Sequence, residues 1–167
     1  MIFGIGTDLV DVRHIEKALK TFGARFETRL FTPYEQSLSH KQSNPALYYG
    51  KRFAAKEAFV KALGTGIGMA VFWKDVEVRN NALGKLFLQL AYNLQESLRQ
   101  TLPLQQKIQL DLSLTDEYPY AQAFVVISYW GSLMDKKIPQ RARGRWEWVF
   151  LAIFYISAFF ILGKTHT

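Results

Sequence analysis

The chain contains no cysteine. That absence excludes a disulfide framework, a thiol nucleophile and any thiolate metal site, and it fits a reducing compartment. Internal repeats and low-complexity tracts are absent as well, so neither an array nor a compositionally disordered protein is expected. The opening stretch MIFGIGTDLV has no basic run and reaches an acid by Asp8, so no secretory signal is expected. The globular part should stay where it is made, in the cytoplasm. What is present is ordinary for a soluble fold: 167 residues, 49% hydrophobic and 21% charged. One domain with its own core and an appendage fits that length.

The net charge of +7 is unevenly spread. Residues 1–129 hold 15 Lys and Arg against 12 Asp and Glu, whereas residues 130–167 hold 6 against 2. A basic surface attracts phosphate-rich ligands, acidic proteins, nucleic acid and anionic lipid alike, so local pattern has to choose among them.

Local pattern predicts a mixed order of elements. Ile2 to Val10 runs apolar with two glycines and suits a strand, after which Asp11 can cap a helix over Val12 to Phe22. Thr32, Pro33 and Glu35 form a capping box with proline at the first helical position. Asn44 and Pro45 repeat the start signal, and the alanine-rich stretch Ala46 to Leu63 ends at Gly64, a usual stop residue. Val76 to Arg79 and Lys85 to Leu90 read as a hairpin, and Tyr92 to Thr101 has helical spacing. Lys107 to Leu114 and Ala121 to Tyr129 read as strands around a turn at Asp116 to Pro119. Strands and helices in this order make the fold class α+β.

Three features on this frame carry chemistry. Asp8 shares a strand face with Gly4 and Gly6, and these small neighbours are expected to leave room for a ligand beside the carboxylate. Glu57 and Lys61 are one helical turn apart, and Arg52 and Lys56 form a like-charged pair at the same spacing whose repulsion an anion would relieve. Gly64, Thr65 and Gly66 offer backbone amides that a phosphate could meet. Taken singly, Glu57 and Lys61 read first as an ordinary surface ion pair. Asp8 is different, because a carboxylate among core residues needs a partner or a cation.

GIGTDLVDVRHI at 4–15 and KRFAAKEAFVKALGTGIG at 51–68 resemble the two signature blocks of the holo-acyl-carrier-protein synthase group of 4'-phosphopantetheinyl transferases. DVEVRNNALGK at 75–85 and LDLSLTDEYPYAQAFVVI at 110–127 match in order and spacing. The resemblance covers nearly all of residues 1–129, so these form the predicted transferase domain. It implies that family's fold, a small antiparallel sheet packed with one long helix and shorter ones. It also implies transfer of phosphopantetheine from coenzyme A to a serine of apo acyl carrier protein in fatty acid biosynthesis, with adenosine 3',5'-bisphosphate released. Asp8 and Glu57 would bind Mg2+, with Glu57 and Lys61 catalytic. Arg52, Lys56, Lys61, Gly64, Thr65 and Gly66 would hold coenzyme A. Carrier docking is expected on Arg13, Lys17, Lys20 and Arg25, with Arg29 on the same basic stretch. The family implies a homotrimer with sites between subunits, and no nucleic-acid partner. A second reading, a coenzyme A- or nucleotide-binding module that has lost catalysis and serves as a membrane-tethered adaptor, would call for a lost acid, and none is lost. Asp116 departs from the pattern, standing where the family often has histidine.

Residues 130–167 have no counterpart in the family. Trp148 to Leu162 is uncharged, and the basic cluster Lys136, Lys137, Arg141, Arg143 and Arg145 precedes it. Fifteen residues of helix rise roughly 22 Å, short of a hydrocarbon core of roughly 30 Å. Three readings stay open: membrane contact through 146–163, a packing helix in an oligomer, and an extension without a role.

Overall fold

A computed structural model describes residues 1–65, 67, 71–101 and 107–130. The order is β1 (Ile2–Asp11), α1 (Val12–Phe22), α2 (Ala24–Leu30), α3 (Pro33–Ser39) and α4 (Pro45–Leu63). A 3-10 turn (Trp73–Asp75), β2 (Val76–Asn80), β3 (Leu86–Leu90), α5 (Tyr92–Thr101), β4 (Lys107–Glu117) and β5 (Tyr120–Trp130) follow. The expected α+β class holds. The predicted caps form: Thr32 accepts from the Glu35 amide while the Glu35 carboxylate accepts from the Thr32 amide. Asn44 caps α4 through the Leu47 amide. Gly64 ends α4 in the left-handed region at φ 72°, where a side chain would be strained.

Two predictions need correction. The turn expected over Asp116 to Pro119 is narrower, because β4 runs on to Glu117 and β5 starts at Tyr120. Backbone pairing continues through Asp116 and Glu117, opposite Ala121 and Tyr120. The helix α2 was not anticipated: Gly23, at φ 49°, breaks the chain direction after α1 and a second short helix follows.

The main sheet is antiparallel in the order β1-β5-β4, and β2 and β3 form a separate hairpin. Side chains alternate across a strand, so one face of the main sheet collects Val10, Ala121, Ala123, Val125 and Ile127, all buried, and receives α4. The opposite face carries Ile5, Leu9 and Phe124, which are 54%, 62% and 44% exposed. Beyond α4, Phe31 stacks on Tyr49 with ring centres 4.3 Å apart, and both are fully buried. Burying an aromatic ring of this size stabilises the fold by about 1.5–3 kcal/mol.

The glycines of β1 determine how close the helix comes. A Cβ on Gly4 would lie 1.9 Å from the Ala62 carbonyl oxygen, and one on Gly6 would lie 1.9 Å from that of Ala58. The space expected for a ligand is therefore filled by helix backbone. Small residues on both elements bring strand and helix into direct contact, and this sets Asp8 against α4.

Candidate active site

Asp8 leaves β1 on the α4 side, two residues beyond Gly6, and pairs across the sheet with Ala123. Its carboxylate accepts a hydrogen bond of 2.7 Å from Lys61 Nζ. The Asp8 side chain is 14% exposed and that of Lys61 39%, so the pair sits at the edge of solvent. Lys61 was expected as the neighbour of Glu57; it crosses instead to β1 and ties the helix to the strand. Glu57 lies one turn before Lys61 and is half-buried. Burial pushes the Glu57 carboxyl up to about 7, the Asp8 charge adds to the rise, and Lys61 opposes it. Asp8, Glu57 and Lys61 thus come together where β1 meets α4.

Other expected ligand residues lie elsewhere. The Lys56 ammonium is 1% exposed and donates to Glu35 Oε2 at 2.7 Å, the Leu30 carbonyl at 2.9 Å and the Trp73 carbonyl at 3.0 Å. Its three protons are taken, so the expectation that it holds a cofactor phosphate is corrected. Burial pushes Lys56 below its ordinary value, with Glu35 opposing. Gly64 donates its amide to the Lys61 carbonyl and Thr65 to that of Val60, so these amides close the helix C-terminus instead of facing a phosphate. Gly66 lies outside the described residues.

Arg52 is also buried, its guanidinium 3.6 Å from the centre of the Tyr48 ring. Desolvation lowers its proton affinity below the ordinary value, with Tyr48 and Glu35 opposing. Arg52 lines a cavity of about 350 Å³ with Tyr48, Lys51, Asn80, Leu114 and Asp116. At its rim Lys51 binds Asp116 at 2.8 Å, which accounts for the acid at that position. Buried in the same region, the Tyr48 hydroxyl and Arg52 Nε meet no hydrogen-bond partner among the described residues. Sequence reasoning missed Tyr48 and Lys51; their position four and one residues before Arg52 on α4 was the available signal.

The docking residues are exposed, with Arg13, Lys17 and Lys20 on α1 and Arg25 and Arg29 on α2. Val12 and Ile15 turn α1 inward and leave its basic side free. Arg13 is engaged locally, donating to both oxygens of Asp11 at 2.6 to 3.1 Å and holding that carboxyl down to about 2. Among the described residues no helix is long and apolar enough to cross a membrane. The run expected at 146–163 lies outside them.

The family model of the 4'-phosphopantetheinyl transferase superfamily matches residues 4–123. The holo-[acyl-carrier-protein] synthase of Rhizobium rhizogenes is 47% identical over 127 residues, spanning 76% of this chain and 95% of the relative. The crystal structure of the Neisseria meningitidis holo-[acyl-carrier-protein] synthase superposes with a TM-score of 0.69 at 40% identity, covering 77% of this chain and 99% of that one. The Bacillus anthracis synthase, solved in complex with CoA (3',5'-ADP), superposes with a TM-score of 0.62 at 33% identity, over 76% and 96% of the two chains. With Asp8, Glu57 and Lys61 inside the matched span, the chain belongs to the 4'-phosphopantetheinyl transferase superfamily.

Proposed function

We infer that this chain is a holo-[acyl-carrier-protein] synthase, transferring 4'-phosphopantetheine from coenzyme A to a serine of apo acyl carrier protein. The observation that carries the reading is the cluster of Asp8, Glu57 and Lys61, formed where β1 meets α4 inside the segment matched by the superfamily. In the reaction the serine oxygen bonds to the phosphorus that bears the pantetheine arm. The bond from that phosphorus to the bridging oxygen breaks, and adenosine 3',5'-bisphosphate leaves. Glu57, half-buried beside Asp8 and Lys61, is the acceptor this chain offers for the serine proton. Lys61 balances the Asp8 charge and carries a positive charge toward the leaving phosphate.

The donor set fits a magnesium ion. Asp8 and Glu57 supply carboxylate oxygens, the type a small hard cation takes, and burial together with the Asp8 charge raises the proton affinity of Glu57. No group of three or more His, Cys, Asp or Glu residues stands together among the described residues, so the other coordination places would fall to water and substrate phosphate. When bound, the ion neutralises charge on the pyrophosphate.

The exposed apolar face at Ile5, Leu9 and Phe124 supports self-association through the main sheet, and the assembly that the family resemblance implies is a homotrimer. Arg52 points about 140° away from Glu57 around α4, so it serves a different site from its own Glu57. In a trimer its cavity would take the nucleotide end of a coenzyme A whose pyrophosphate lies on a neighbouring subunit. The basic side of α1 and α2 would receive the acidic carrier. The test is direct: incubate the full chain with coenzyme A, Mg2+ and apo carrier protein, and weigh the carrier. Gain of the phosphopantetheine mass is expected; no gain beside an active control enzyme overturns the reading.

A further inference from the structure

Lys56 stands next to Glu57 on α4 and points about 100° away from it around the helix. The Glu35 carboxylate that it binds also accepts from the Thr32 amide at 2.9 Å and the Val78 amide at 3.1 Å. With the Leu30 and Trp73 carbonyls on the lysine, one buried point joins the end of α2, the start of α3, α4, the 3-10 turn and β2. The two side chains are 1% and 0% exposed. Such a pair is weak evidence for stability, because well-packed apolar groups of the same volume often do as well or better. What apolar groups lack is direction.

Direction matters on this helix. Twelve of its residues are buried, spread around most of its circumference, and its contact with β1 is made by backbone, by alanine and by the Lys61–Asp8 bond at the edge of solvent. The backbone contact fixes how far α4 stands from β1, while the Lys61–Asp8 bond, partly open to water, is a weak check on rotation about the helix axis. The β1 contact holds one flank of α4, and Lys56 holds the other. A rotation of about 20° would carry a side-chain end at a radius of about 5–6 Å through about 2 Å. A misplacement of about 1 Å can cost roughly a hundredfold in rate.

We propose that the buried Lys56–Glu35 pair is a positioning device for the transfer site, fixing the rotation of α4 so that the Glu57 carboxylate faces Asp8. This rests on Glu57 acting at that site, as argued above. Lys56 is a positioning residue and touches no substrate. The test compares the wild-type chain with Lys56→Met/Glu35→Leu, which replaces the pair by apolar groups of similar size, and with the milder Glu35→Gln. Folding is checked by thermal melting.

In a folded double variant, kcat should fall by roughly tenfold or more while KM for coenzyme A and for carrier stays within about threefold. Calorimetric titration with Mn2+ in the presence of coenzyme A should show binding weakened by roughly tenfold, and this readout does not depend on turnover. Glu35→Gln should move both quantities in the same direction by less. A folded double variant with wild-type kcat and wild-type Mn2+ affinity overturns the proposal. So does a raised KM for coenzyme A with kcat kept, since Lys56 would then contact substrate. If neither variant folds, the pair is a stability element and the positioning role falls. A wild-type chain that binds Mn2+ but transfers nothing sinks the functional reading instead, and the titration still decides this proposal.

Discussion

Two lysine–carboxylate pairs flank α4, and both are 2.7 Å long. Lys56 and Glu35 are sealed from water, whereas Lys61 and Asp8 are 39% and 14% exposed. Equal lengths do not mean equal roles. In the sealed pair both charges have lost their hydration, and every proton and several lone pairs must be satisfied by protein, so losing one partner strands the other. In the open pair water can replace either partner, so the bond is cheap to break. A site that must exchange substrate needs the second kind, and a joint among five elements needs the first.

The sharpest break between the two sides should come from the carboxylates of the open one. Asp8→Ala or Glu57→Ala is expected to lower turnover by roughly a hundredfold or more, with thermal melting nearly unchanged. Near-normal turnover at limiting Mg2+ in either variant would remove that residue from the site. Next come the lysines, compared under urea. Lys56→Ala leaves the Glu35 charge buried and should cost about 3–5 kcal/mol, while Lys61→Ala should cost no more than about 1 kcal/mol. Lys61→Ala should instead depress kcat, by roughly tenfold. Equal stability losses would show that burial does not separate the pairs.

Smaller is the pH effect. Folded Glu57 holds its proton up to about 7 against a usual 4.5, so the folded state binds more protons than the unfolded chain between these values. Stability of the metal-free protein should therefore fall as pH rises through that window. Glu57→Gln should remove this slope, stabilising the metal-free fold above the window by about 1–2 kcal/mol and leaving it unchanged below. Melting curves in chelator across the window check this; a stability that rises with pH there would contradict it. The smallest effects are expected on the rim. Lys17→Glu or Lys20→Glu should raise KM for the carrier several-fold and flatten its salt dependence. Arg13→Glu should do less than its exposure suggests, because Asp11 already engages that charge.

Local signals were legible in the sequence because their physics is local. The cap at Thr32, the start at Asn44 and Pro45 and the stop at Gly64 each involve groups a few residues apart. The period of two placed Asp8 on the same face as Gly4 and Gly6, and the helical turn placed Glu57 beside Lys61. What the pattern hid were partners from afar. Glu35 was read as a capping acid, which it is, while its second role depends on Lys56, 21 residues later. Lys56 was assigned to a phosphate because only its neighbours in the chain were visible. The helix Ala24–Leu30 is a single short stretch whose apolar stripe is only Phe26 and Leu30, and its ends are made by Gly23 and by contacts with other elements. The gap beside Asp8 was misread because a glycine shows where side chain is missing, not what fills the space.

The contact of Gly4 and Gly6 with the carbonyls of α4 also makes the site a gauge. Asp8 and Glu57 are spaced by backbone lying on backbone, with no flexible side chain between to absorb error. A single methyl at Gly6 would have to push strand from helix, and the carboxylates would part with them. Two hydrogen atoms in place of two methyl groups thus set the distance between strand and helix, so the spacing of the two carboxylates is written in the strand's glycines.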